Sequence, residues 1–350
     1  MTLKTAVIGV GALGRHHARI LSELDGVELV GVVDQNREQG ESVAAACETT
    51  WHADCDAIID DVDAVSVVVP TVAHLAVASQ VLERGISVLV EKPIASTVAE
   101  ARQMVDLADA NGCVLQVGHI ERFNPAMQAV RNQLGTPKYI RAERVSPYTF
   151  RSTDISVVLD LMIHDIDLTL SLVDSPIASV EAFGTGVFGD LEDIAQARVR
   201  FENGCIADLT ASRVNPTATR TMQVWSDLGC TNIDLGSREV SKFGAGPALL
   251  AGQQHRLKPK SIDERNELMK SVFGKFISET TVPVKNSDAL TAELLEFTDC
   301  VRTRQSPTVS GQEGLAAIEA ADLILQSIAD HGWGESPAGR TGVPAHIRAA

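Results

Sequence analysis

Residues 5–34 read TAVIGVGALGRHHARILSELDGVELVGVVD, and this stretch decides the fold of the N-terminal half. The short apolar run Ala6-Val7-Ile8 leads into Gly9-Val10-Gly11-Ala12-Leu13-Gly14. A helical pattern (Ala18, Ile20, Leu21, Leu24) follows, and then a second apolar run, Val27–Val33, ending on Asp34. This is a glycine fingerprint between strand and helix, with an acidic residue 20 positions after the last glycine. Gly9 permits a tight turn, Gly11 lets a pyrophosphate approach the backbone, and Gly14 lets helix and strand pack closely. Ala12 and Leu13 complete the loop, and the free N–H groups and partial positive charge of the helix start suit phosphate. Asp34 suits the ribose hydroxyls of NAD and repels the 2′-phosphate of NADP. Arg37 is close enough in sequence to join the cofactor site. The alternative is a tight strand–helix turn without a ligand.

Composition narrows the class. At 350 residues the chain has room for two domains, and 45% hydrophobic residues support a large core. A net charge of −16 disfavours nucleic acid and anionic membranes as partners. It also means that an anionic substrate needs a local cluster of arginines. Six cysteines are scattered without metal-ligand spacing, so they read as small apolar residues of a reducing compartment and no metal is expected. The first apolar run is too short for a signal peptide, and no run is long enough to span a bilayer, so a cytoplasmic protein is expected.

Strand and helix patterns alternate over the first ~120 residues. Apolar runs at Ala64–Val69, Ser87–Val90 and Val114–Val117 are separated by helical patterns at Glu38–Cys47, His74–Arg84 and Thr97–Asn111. This rhythm predicts an α/β domain with a parallel, doubly wound sheet. Beyond residue 135, Lys138–Val145, Ile177–Gly186, Ala195–Phe201, Cys205–Arg213 and Thr221–Trp225 read as strands of an antiparallel sheet. Asn203-Gly204 marks a hairpin, and one helix, Val157–Val173, lies among the strands. Residues 244–286 read as mixed and loop-rich, and 288–302 and 311–329 as helices. The division expected is a nucleotide domain over 1–120, an α+β substrate and oligomerisation domain over 121–333, and a polar tail over 334–350. Helices can cover only one face of the second sheet, so its other face is expected to build a homodimer or homotetramer.

Two further motifs carry chemistry. Glu91-Lys92-Pro93 ends the strand Ser87–Val90 on the edge where ligands bind in open parallel sheets. A lysine here can bond a substrate hydroxyl and stabilise alkoxide-like charge, although an ordinary surface turn has the same composition. Asp160 and His164 stand i, i+4 on a helix among Leu161, Met162, Ile163 and Ile166. A carboxylate beside an imidazole suits a general base, and a satisfied core histidine is the structural alternative.

The fingerprint, Pro70-Thr71 with His74, Glu91-Lys92-Pro93 and Asp160…His164 together resemble the glucose–fructose oxidoreductase and inositol dehydrogenase family. The resemblance spans residues ~3–330, including Glu293-Leu294…Phe297, Pro307 and Gly311…Gly314. It implies an N-terminal Rossmann domain holding NAD(P) and a C-terminal open, mostly antiparallel sheet with helices on one face. It also implies cofactor contacts from Pro70, Thr71, His74, Glu91 and Lys92, and a catalytic trio Lys92, Asp160 and His164. His119 and Glu121 depart from the commoner aromatic and basic pattern of the family's sugar dehydrogenases. With Arg122 and Arg151…Asp154 they resemble a nucleotide-sugar branch. That branch implies substrate contacts from Lys92, His119, Glu121, Arg122, Arg151 and His164. It implies oxidation of UDP-N-acetylglucosamine at C3, feeding 3-amino-sugar synthesis for lipid A and lipopolysaccharide with a partner aminotransferase. Oxidation of a free sugar or cyclitol is the second reading, and a non-catalytic NAD-binding regulator the third.

Overall fold

The apolar runs of the N-terminal half form a parallel sheet in the computed structural model, which describes residues 2–150, 154–253, 258–259 and 261–331. Its strands are β1 (Leu3–Ile8), β2 (Val27–Val33), β3 (Thr50–His52), β4 (Ala64–Val67), β5 (Ser87–Glu91) and β6 (Leu115–Gly118). Their order is β3-β2-β1-β4-β5-β6, every neighbouring pair parallel. The chain reverses its winding between β1 and β4, and their carboxyl ends therefore border the crevice where doubly wound sheets bind ligands. The helices are α1 (Gly14–Glu23), α2 (Arg37–Ala46), α3 (His74–Leu82) and α4 (Val98–Asn111). Asn36 and Thr97 cap α2 and α4 by accepting from the Gln39 and Glu100 N–H groups, and Gly112 ends α4 in the left-handed region.

The second sheet is mixed. After α5 (Pro125–Val130) come β7 (Pro137–Val145), α6 (Ile163–Leu172), β8 (Ile177–Thr185), β9 (Ile194–Phe201) and β10 (Ile206–Ser212). These are followed by β11 (Thr219–Ser226), β12 (Gly229–Asp234), β13 (Glu239–Ala245), α7 (Pro247–Leu250), α8 (Ile262–Ser271) and β14 (Ile277–Thr281). The order is β14-β13-β12-β11-β7-β10-β9-β8, antiparallel except for the β7–β10 pair. Residues alternate in burial along β9, with Ala195, Ala197, Val199 and Phe201 inward. The outward face carries polar groups beside exposed Phe183 and Trp225: Arg198 pairs with Asp208 at 2.7 Å, and Tyr139 donates to the same carboxylate at 2.9 Å. The Asn203-Gly204 hairpin forms as read, with Gly204 at φ +85°.

The last helices, α9 (Ala289–Thr303) and α10 (Gly311–Asp330), divide differently from the sequence reading. Among the described residues, those up to 123 and 287–323 form one compact unit, and those over 124–286 and 324–331 form the other. The cause is packing: Leu290, Leu294 and Phe297 are buried with Val7, Leu21 and Leu29. A Cβ on Gly311 or Gly314 would come within 2.6 Å of Leu115 or 2.5 Å of Val117, so α10 starts against β6. The final polar tail, read as 334–350, lies outside the described residues.

Two buried ion pairs fasten segments of the second unit. Arg144 on β7 grips Asp165 on α6 through Nε (3.2 Å to each oxygen) and Nη2 (2.8 Å). Arg213 donates to Asp193 at 2.7 Å and to the Ile155 carbonyl at 2.9 Å. Burial opposes the Asp193 charge, yet the Phe188 and Val187 N–H groups and Arg213 hold its carboxyl below the usual carboxylate range. Truncating one partner of such a pair leaves a buried charge unpaired. Arg144→Met is expected to cost about 3–5 kcal/mol of the second unit's stability, and Arg144→Met with Asp165→Leu to regain most of it. Denaturant unfolding of the three proteins measures both values, and equal midpoints for the single variant and wild type would disprove the anchor.

Candidate active site

Glycine geometry comes first because it sets where α1 begins. Gly9 has φ +87°, and a Cβ there would lie 2.6 Å from the Val68 carbonyl oxygen. A Cβ on Gly14 would lie 1.9 Å from the Gly9 carbonyl oxygen, so helix and strand approach at backbone distance. Gly11 differs: nothing stands within 4 Å of its missing Cβ. Leu13 starts α1 without a side-chain cap, and the first turn carries no acidic residue. The loop thus offers open space and main-chain N–H groups at a helix start, the combination a pyrophosphate requires.

The Asp34 carboxylate is fixed toward this loop. Oδ2 accepts the Val10 N–H and Oδ1 the Asn36 N–H, each at 2.8 Å. Every carboxylate oxygen accepts more than one hydrogen bond, so both retain capacity for ribose hydroxyls. Arg37 turns elsewhere, pairing with Glu41 at 2.8 Å and lying 5.4 Å from the Trp51 ring centre. A cleft of about 560 Å³ runs past Gly9, Gly11, Asp34 and Pro70. Gln35, Ala53, Cys55 and Val72 also line it, and none of them was read from the sequence as a site residue. Ala53 and Cys55 follow β3, whose three residues carry no apolar run to announce a strand. These residues fit a dinucleotide: an open glycine loop, an oriented carboxylate, and an apolar slot of ligand size. Among the described residues no group of three His, Cys, Asp or Glu is placed to hold a metal ion.

Glu91 ends β5, and the Lys92–Pro93 peptide after it is cis. The Glu91 side chain is buried and accepts the Lys92 N–H at 3.1 Å through Oε2. Oε1 lies 3.2 Å from Nε2 of His17, a close polar contact without hydrogen-bond geometry. Burial works against the Glu91 charge, but His17 and Lys92 hold its carboxyl below the usual range. Thr71 lies in a short 3-10 turn leading into α3, and His74 is buried behind it. Its Nδ1 is 3.0 Å from the Pro93 carbonyl oxygen and its Nε2 3.0 Å from that of Val69. Burial lowers the His74 pKa against the pull of these carbonyls. The ring of His74 is thus spent on the two loops that follow β4 and β5.

The helix read over Val157–Val173 is composite. Residues Val158–Met162 wind as a π-helical turn, and α6 continues from Ile163. Asp160 and His164, both half-buried, occupy consecutive turns across this junction. The Val157 N–H bonds the Glu192 carbonyl at 3.0 Å, and the Arg144–Asp165 pair holds the residue after His164. Lys92 belongs to the first unit, and Asp160 and His164 to the second. His119, Glu121 and Arg122 are all buried around the 3-10 turn Ile120–Phe123, where sequence reading expected substrate contacts. Arg151, read as a substrate contact, lies outside the described residues.

Comparison with known proteins agrees with this architecture. Residues 3–119 match the GFO/IDH/MocA oxidoreductase family with its NAD-binding Rossmann fold, and residues 126–231 match the GFO/IDH/MocA C-terminal domain. UDP-N-acetylglucosamine 3-dehydrogenase of Acidithiobacillus ferrooxidans is 34% identical over 320 residues, covering 91% of this chain and 95% of that protein. Its crystal structure superposes with a TM-score of 0.82 at 32% identity, over 94% of this chain and 98% of that one. scyllo-Inositol 2-dehydrogenase (NAD(+)) of Bacillus subtilis is 29% identical over 61% of this chain and 68% of its own length. Levoglucosan dehydrogenase in complex with NADH shares the fold (TM-score 0.79, 18% identity, 94% of this chain and 97% of that one). With both domain types matched in order along the chain, the glycine cleft and the open mixed sheet are those of a GFO/IDH/MocA oxidoreductase, and this chain belongs to that NAD-binding family.

Proposed function

We propose that the protein oxidises a hydroxyl of a UDP-N-acetylhexosamine, with UDP-N-acetylglucosamine oxidised at C3 as the specific reading. One observation carries it: identity to the Acidithiobacillus enzyme runs through 91% of this chain rather than through the nucleotide fold alone. Bound NAD supplies the hydride acceptor. The glycine loop and Asp34 would hold its pyrophosphate and ribose, and Pro70 lines the same cleft. Lys92 bonds the reacting hydroxyl and stabilises its developing negative charge, His164 takes the hydroxyl proton, and Asp160 orients the imidazole. Each turnover converts CH–OH and NAD⁺ to C=O, NADH and one proton. The 3-keto sugar then suits a pyridoxal-type amino transfer, so an aminotransferase of 3-amino-sugar synthesis for lipopolysaccharide is the downstream partner proposed. All six cysteines are free, which fits work in the reducing cytoplasm.

Oxidation of a cyclitol is the second reading, favoured by the inositol dehydrogenases among the relatives. NADH formation with UDP-N-acetylglucosamine, myo-inositol and glucose, with the ketone trapped by a 3-aminotransferase and glutamate, separates the two. Turnover of the nucleotide sugar alone is expected, and turnover of inositol alone would replace the first reading by the second. With the true substrate, Lys92→Ala and His164→Ala are each expected to lower kcat about 10²–10⁴-fold while NAD still binds. Near-normal turnover in His164→Ala would make that histidine structural.

Asp34 sets the cofactor preference. Charge-assisted hydrogen bonds contribute roughly 1.5–3 kcal/mol each, so NAD should bind about tenfold or more tighter than NADP, and Asp34→Ala should erase most of that ratio. Fluorescence titration with both cofactors measures it, and equal wild-type affinities would end the assignment.

We also propose a homodimer or homotetramer assembled on the outward face of the second sheet. Two grooves of about 640 and 440 Å³ cross this face, lined by Arg141, Glu143, Gln223, Arg198 and Asp208 among others. Light scattering at micromolar concentration should give two or four chains, with Arg198→Glu shifting the population toward monomer. A monomeric wild type would refute the assembly.

A further inference from the structure

His17 lies in the second turn's approach of α1, three residues after Gly14, and it is fully buried. Each of its ring nitrogens faces a polar group. Nδ1 finds the hydroxyl of Ser66 on β4 at 2.8 Å, and Nε2 faces Glu91 Oε1 at 3.2 Å. The other Glu91 oxygen receives the Lys92 N–H. Gly118 on β6, the sheet neighbour of Glu91, lies so close that a Cβ there would meet Oε1 and Oε2 at 3.0 Å each. The carboxylate is therefore gripped between α1 and β6, and it in turn grips the backbone of the lysine. Downstream of the lysine, His74 holds the Pro93 carbonyl.

We infer that His17 is a positioning residue for Lys92: acting through Glu91, it ties the lysine-bearing turn to the helix that begins at the glycine loop. The inference rests on the reading of Lys92 as a reacting group. Two alternatives are weaker. As a general base His17 has no access to a substrate, because no part of it reaches solvent. As an ordinary core residue it would not be aimed at a buried carboxylate, whose burial is costly without a partner.

The titratable groups that face the Glu91 carboxyl are His17 from α1, Lys92 beside it and His74 from α3. Removing His17 leaves the carboxyl buried with less support, and burial then pushes it toward the neutral acid. Lys92 loses a neighbouring negative charge, its ammonium becomes easier to deprotonate, and more of it is free amine at a given pH.

The test uses the full chain carrying His17→Leu and two readouts. With saturating NAD and sugar, kcat is expected to fall roughly tenfold or more while NAD affinity stays within about threefold. In the protein without cofactor, acylation of Lys92 at pH 8, followed by peptide mass spectrometry, is expected to quicken roughly threefold or more. A folded His17→Leu protein that keeps the wild-type value of either readout overturns the inference. If this variant does not fold, Glu91→Gln carries the same two readouts, since the amide keeps the volume and removes the charge. Wild-type values there overturn it equally. Lys92→Ala is the control that separates failures: unimpaired turnover in that variant removes the reading of Lys92 itself, whatever His17 does.

Discussion

The backbone approach of Gly14 to the carbonyl of Gly9 is the constraint on which the first unit depends. No side chain fits between them, so α1 must leave β1 at one angle and at one height. That angle leaves the loop around Gly11 open and brings the Val10 N–H onto Asp34. It also determines where the next turn of α1 lands. His17 arrives over the sheet at Ser66 and Glu91 because Gly14 fixes the start of the helix three residues earlier. A single contact between two glycines thus governs both the opening for phosphate and the support behind Lys92.

The second unit solves a different problem. Its sheet has one face to cover with helices and one left outward, and the helix bearing His164 must be held against the sheet. Arg144 and Asp165 do this with a two-oxygen grip between β7 and α6, and Arg213 with Asp193 does it for the segment before Asp160. Such pairs contribute little net stability because burying both charges is costly, but they exclude other arrangements at even greater cost. Their location fits that role, since each fastens a segment adjoining Asp160 or His164.

Much of this was legible in the sequence wherever burial is two-sided. Strands β1, β2, β4, β5 and β6 are continuous apolar runs because helices cover both faces of a parallel sheet. The glycines and Asp34 were legible because their spacing is tied to one backbone geometry. β3 was not: Thr50-Trp51-His52 is short and mixed, and its role shows only when Trp51 donates to the Asp34 carbonyl. β12, β13 and β14 escaped because they lie toward one edge of a sheet with polar groups on its outer face, where alternation is diluted by Asn232, Ser241 and Lys242. The long-range pairs are invisible for another reason. Nothing in a sequence announces that Arg144 will meet Asp165 or that His17 will meet Glu91, because those meetings are made by topology. For the same reason the division near residue 120 gave α9 and the start of α10 to the second unit, although α9 completes the core of the first and α10 starts against β6.

The π-helical turn at Val158–Met162 holds one more residue than a regular turn accommodates. Shortening this segment by one residue would let an ordinary α-helix run through it, with better backbone hydrogen bonding. The same deletion would swing everything before it by about 100° about the helix axis relative to His164. Asp160 would then point to a different quadrant from the histidine it accompanies. Length at this one place is therefore under opposing pressures, with local helix energetics favouring the deletion and the present placement of Asp160 and His164 on consecutive turns resisting it. Where the present spacing of Asp160 and His164 is not needed, loss of one residue between Ser156 and His164 gives a straighter helix.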